Sequence, residues 1–144
     1  MPRYIDARMG ARPITVCALA AALAVISGCG GSDDKKDVQQ VVRDFATAVN
    51  ERDGQRFCKE LTTREYVEKV TAAKGDGAIS QCERQIKQIR QPEYKVVKFV
   101  KTSVDGDRAT VTAQLENQGR TQRQVFKLVK EDGDFRLTSG ATGG

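Results

Sequence analysis

Four cysteines, no histidine and a scatter of carboxylates are the residues of this 144-residue chain that could do chemistry. A carboxylate useful as a general base needs a cleft and a perturbed pKa. Asp105, Asp107, Asp132 and Asp134 instead stand in turn signals, where an acid serves backbone geometry and solvent. Asp44 falls across its helix from Phe45 and Val49, on the side expected to face water. Tyr66 and Tyr94 could line a pocket, or be core residues with the hydroxyl at the edge. Lys98, Gln124, Phe126 and Lys130 share the inward phase of their strands. With the two tyrosines, Lys98, Gln124 and Phe126 make the candidate pocket. Lys98, Gln124 and Lys130 could rim an anion-accepting mouth, although strand lysines also serve to guard an edge. Lys95, Lys101, Arg108, Lys127 and Arg136 take the opposite phase, giving a basic outer face suited to anionic lipid or wall polymer, or simply to water.

These residues sit behind a targeting segment. Arg3, Arg8 and Arg12 form a positive leader, and Ile14 to Ile26 are thirteen residues without a charge. A helix of that length rises about 20 Å, short of the roughly 30 Å hydrocarbon thickness, so a secretory signal fits better than a permanent span. The segment ends Ile26-Ser27-Gly28-Cys29, which resembles the bacterial lipobox: an aliphatic residue, two small ones, then the cysteine that takes a diacylglycerol thioether. The resemblance implies cleavage before Cys29, lipid on that thiol and an extracytoplasmic domain anchored to the cell membrane. Gly30 to Lys36 reads as a polar tether.

With Cys17 in the discarded core and Cys29 lipidated, Cys58 and Cys82 are left as an even pair in an oxidising compartment, and a disulfide between them is expected. Two cysteines without any histidine make a poor metal site. Net charge narrows the partners. The chain carries 24 Lys+Arg against 19 Asp+Glu, and removing residues 1–28 leaves 21 against 18. The signs are interspersed and no Arg-rich helix or aromatic-basic strand occurs, so no nucleic-acid partner is expected. No cofactor motif is present.

Periodicity divides the remainder in two. Val38, Val41, Val42, Phe45, Ala46 and Val49 mark one face of a first helix, capped by Asp33 or Asp34 and broken at Asp53-Gly54. Phe57, Cys58 and Leu61 give a short second helix its apolar side. Thr62 with Glu65 has capping-box spacing and opens a third, carrying Tyr66, Val67, Val70 and Ala73 on one face and ended by Gly75-Asp76-Gly77. Ile79, Cys82, Ile86 and Ile89 mark a fourth, closed by Pro92. From Tyr94 the period becomes two. Turn signals at Asp105-Gly106-Asp107, Asn117 to Arg120 and Asp132-Gly133-Asp134 join four antiparallel strands. Ala109, Val111, Ala113 and Leu115 should face the helices, with Val96, Val100, Val104, Phe126, Leu128, Phe135 and Leu137.

Helices followed by a strand meander predict an α+β fold with the helices on one face of a curved four-stranded sheet. This order, the Val41-Val42-Arg43-Asp44-Phe45 helix and the Val125 to Leu137 hairpin resemble the NTF2-like (cystatin-like, SnoaL-like) superfamily over residues 37–138. The resemblance implies a cone with a pocket at its open end. The expected boundaries are signal peptide 1–28, tether 29–36, domain 37–138 and a loose tail 139–144.

The functional expectation is a membrane-tethered, non-enzymatic binding or interaction module of the cell envelope, holding a small amphiphilic or anionic ligand or an envelope protein. The alternatives are a SnoaL-like isomerase or dehydratase, and an accessory subunit of an envelope transport complex. Absence of histidine and of an inward acid favours the first.

Overall fold

The computed structural model describes residues 31–90 and 93–143. The leader, Cys29 and Pro92 lie outside the described residues. Helix α1 spans Asp33–Asn50, a π-helical segment spans Arg56–Leu61, α2 spans Arg64–Thr71 and α3 spans Gly75–Gln88. Strands β1 Tyr94–Asp105, β2 Arg108–Asn117, β3 Arg120–Glu131 and β4 Asp134–Gly143 follow. They form one antiparallel sheet in sequence order, with the helices against it. The expected α+β architecture is the one observed, down to the three hairpins. Two of the turns carry positive φ at both central residues, Gln118-Gly119 and Asp132-Gly133, the backbone that joins right-twisted strands tightly.

One buried cluster lies between α1 and the sheet. Val38 and Val42 meet Val111, Ala113, Leu115, Phe126, Leu128 and Leu137 there. The second lies among the helices, where Ala48, Phe57, Leu61, Val67, Ala78 and Ile86 surround the Cys58–Cys82 disulfide. Val41, Phe45 and Tyr94 touch both clusters and make them continuous. The disulfide bridges Cα atoms 6.1 Å apart and staples the π-helical segment to α3, as the leftover pair predicted.

Several local expectations change. Helix α1 begins at Asp33, inside the segment read as tether, because Asp33 and Asp34 suit the positive helix start and Asp34 pairs with Lys130 at 3.3 Å. Ser32, not an aspartate, occupies the cap position, and its side chain makes no capping bond. Helix α2 is capped by Thr63, whose hydroxyl accepts from the Tyr66 amide at 3.2 Å. Thr62 instead turns back, its hydroxyl donating to the Phe57 carbonyl and closing the π-helical segment. The shift by one residue buries Thr71 below Val67 and leaves Val70 exposed. Helix α2 stops at Ala72 in the left-handed conformation, and Gly75 to Gly77 open α3 where they were expected to end its predecessor.

The tail is corrected too: β4 continues to Gly143, its backbone pairing with β3 as far back as Gln124. The pairing has two register irregularities on the way, one between Ser139 and Thr142 and one at Thr138. Along β1 the alternation slips twice, at Val97 and Val100, each an extra residue against β2. Phe99 therefore faces the core where Val100 was expected, and Val97 and Val100 are 49% and 40% exposed. Lys98 turns out to solvent by the same slip.

Candidate functional site

At the β2–β3 turn the inward faces of the strands run out of apolar residues, and their last positions form a small polar cavity of about 230 Å³. Tyr94 enters it from the start of β1, Leu115 and Asn117 from the end of β2, and Arg120, Gln122 and Gln124 from the start of β3. Alternation explains the set, since Leu115 pairs with Gln122, Ala113 with Gln124 and Asn117 with Arg120. The wall is held at its Tyr94 corner by a pair of bonds to Asn50 at the end of α1. The amide nitrogen of Asn50 donates to the Tyr94 carbonyl at 2.7 Å, and the Tyr94 backbone N–H donates to Asn50 Oδ1 at 2.8 Å. Arg52 adds a bond from Nε to the Ile89 carbonyl.

Two side-chain oxygens of this wall, Asn117 Oδ1 and Gln124 Oε1, are buried without a hydrogen-bond partner. Such acceptors call for a donor from water or a ligand. Primary amides and a guanidinium recognise polar groups but neither gain nor lose a proton near neutral pH. The arrangement can therefore hold a small polar or anionic group, with no acid or imidazole on its wall to move a proton.

Of the expected pocket residues, the structure brings Tyr94 and Gln124 together here. Phe126 lies one step deeper, fully buried in the core, where its ring meets Phe45 at 5.4 Å. Tyr66 belongs to α2 and does not line the cavity; burial raises its phenol pKa above the ordinary value. Lys98 is outside on the far face, and Lys130 is at the opposite end of β3, paired with Asp34 and lying over the Phe135 ring at 5.1 Å. Asn117, Arg120 and Gln122 were missed; continuing the inward alternation back from Gln124 and on from Leu115 would have found them. Asp44, expected in water, is half-buried and pairs with Arg56 at 3.0 Å, tying α1 to the π-helical segment.

Among the described residues no group of three or more Asp, Glu, Cys or His is placed to hold a metal ion. No described helix is long and apolar enough to cross a membrane.

No family model matches the chain, and no curated protein matches it. Designed proteins are among the similar solved structures. A de novo designed protein with a curved β-sheet is 19% identical, with a TM-score of 0.46, over 69% of this chain and 92% of that one. A de novo designed NTF2-fold protein is 15% identical, with a TM-score of 0.42, over 74% of this chain and 82% of that one.

Proposed function

We propose that the chain is a lipid-anchored interaction module of the cell envelope. In this reading an NTF2-like domain is held on the extracytoplasmic face of the membrane through Cys29, and it works by binding at its surface. The observation that carries the reading is the filled interior between helices and sheet. The Phe45 ring stands 5.6 Å from Phe57, 5.4 Å from Phe126 and 6.3 Å from Tyr94, so aromatic side chains occupy the space where a substrate chamber would lie. What is left at the β2–β3 turn is below the roughly 300 Å³ at which ligand pockets usually begin. It suits a polar group of a partner better than a whole substrate.

The anchor is supported by the charged leader, the thirteen-residue apolar stretch and the Ile26-Ser27-Gly28-Cys29 sequence. Because α1 begins at Asp33, three residues separate it from Cys29. At about 3.5 Å per residue the domain would be held within about 14 Å of the lipidated cysteine. Substrate profiling of the full chain against steroid, epoxide and polyketide-like compounds is the test, and no turnover is expected. Turnover that disappears when one carboxylate is replaced by its amide would overturn the reading.

A further inference from the structure

The pairing that makes the helical side of the sheet apolar lines up cations on the other side. Ala109, Val111, Ala113 and Leu115 are buried, so the residues of β2 that alternate with them, Thr110, Thr112, Gln114 and Glu116, stand on the outer face. Lys95 pairs with Glu116, Lys98 with Gln114 and Lys101 with Thr112 on the β1 side of that row. On the β3 side Arg123 pairs with Gln114 and Lys127 with Thr110. Across these cross-strand rows five exposed cations meet one acid, Glu116, and among the described residues none of the five makes an ion pair. Asp105, Glu131 and Asp134 lie at the other end of the sheet, beside the β1–β2 and β3–β4 turns. Val97 and Val100, the two extra residues of β1, fall between the three lysines along the strand and are 49% and 40% exposed.

We propose that this face, with its β1 edge leading, docks on a bilayer surface rich in anionic phospholipid. The lysines and Arg123 meet lipid phosphates, and the two valines enter the headgroup layer between them. Charges that only guard a sheet edge account for neither the exposed valines nor the cations on β3, two strands in from that edge. A soluble polyanion would suit the cations as well but gains nothing from the valines. A lipid surface takes both, because attraction to anionic headgroups adds to the burial of apolar side chains. Lysine stems permit the combination, holding the ammonium at phosphate level while the strand beside them lies deeper. The inference deepens the membrane-tethered reading by naming the side of the domain that meets the bilayer. The contact itself needs no lipid on Cys29, so either can fail alone.

The test places the full chain in lipid nanodiscs carrying a gadolinium-chelating lipid and reads the paramagnetic broadening of its backbone amides. In phosphatidylglycerol discs the broadening should be greatest at residues 95–101, 123 and 127. It should fall several-fold in phosphatidylcholine discs, and likewise in about 1 M salt, where the screening length is about 3 Å. Lys95→Gln/Lys98→Gln/Lys101→Gln should lower it about fivefold or more, since one basic residue near an anionic surface is worth roughly that factor. Val97→Ser/Val100→Ser should lower it about twofold or more. The lipid and salt comparisons use the unaltered chain and stand even where a variant does not fold. A chain that leaves phosphatidylcholine discs yet stays on phosphatidylglycerol ones would keep the contact and remove the anchor. A chain held on both with equal broadening would keep the anchor and overturn the contact. Broadening centred on another face would overturn it too, as would a response reproduced by soluble polyphosphate and indifferent to the valine change, which would assign the face to an anionic polymer.

Discussion

Gly54 has no room for a side chain, because a β-carbon there would stand 2.8 Å from the backbone of Glu83. In the sequence it reads only as a helix breaker beside Asp53, since close approach between segments distant along the chain leaves no local trace. Gly54→Ala should destabilise the protein by about 1–3 kcal/mol, the range for an overpacked core, measured by denaturant unfolding. A change under about 0.5 kcal/mol would mean that the turn and α3 separate without cost. The threonine pair after the π-helical segment shows the same limit at finer grain. Thr62 and Thr63 are equivalent as letters, and the capping role falls to Thr63 because Thr62 is pulled inward by the Phe57 carbonyl. At the candidate site, Tyr94 and Gln124 were legible from alternation and burial tendency. Lys98 was not, because its orientation depends on the slip at the extra residue just before it, Val97.

That slip belongs to the strand. Strand β1 lies at the sheet edge and holds two extra residues, Val97 and Val100, over twelve positions. Each bends the strand and gives its edge a poor fit to another chain, and Lys95, Lys98 and Lys101 on the exposed side add charge against such pairing. Periodicity placed all four strands and all three turns, but a bulge is a contest between local twist and partner register, which a count of alternations does not contain. Phe99→Ala should therefore cost about 2 kcal/mol or more, and Val100→Ala less than about 0.5, in thermal or denaturant unfolding. Equal costs would restore the unbroken alternation. The turn between α2 and α3 was placed wrongly for a related reason: its lock is a side chain from the preceding helix. Glu68 accepts from the Gly75 backbone N–H at 2.9 Å and from Lys74 Nζ at 3.0 Å. The Gly75 bond first, then Lys74, holds its carboxyl pKa below the ordinary glutamate value of 4.5. A depressed folded-state pKa gives a contribution that is present above the unfolded value and lost as pH falls through the folded one. Amide exchange at Gly75 should accordingly stay slow down to the ordinary glutamate range and accelerate below it. Glu68→Gln should remove that acid dependence, and an unchanged profile in the variant would assign it to another carboxylate.

Across the whole molecule, stability is divided between the sheet cluster and the helical cluster, with Val41, Phe45 and Tyr94 as the shared packing. The sheet cluster is long-range in sequence, and the helical cluster is short segments that depend on their staple. Closing the 24-residue separation between Cys58 and Cys82 removes unfolded-chain entropy worth about 3 kcal/mol. Reduction should lower the unfolding free energy by that amount, with exchange protection lost first in α2 and α3 and last in β2 and β3; uniform loss would show a single indivisible core. The overall plan was legible because helix and strand periods are properties of the segments themselves, and the pairing of the cysteines was expected from the reading that discards Cys17 and lipidates Cys29. The tethered location is a proposal that rests on residues 1–29 of the sequence alone, and it calls for direct measurement. Intact-mass analysis of the protein extracted from membranes is that measurement. A chain starting at Cys29 and heavier by a diacylglycerol, with Cys29→Ala released from the membrane or stalled with its leader attached, is the predicted result. A wild-type chain found free of membrane, or cut elsewhere and carrying no lipid, would contradict it.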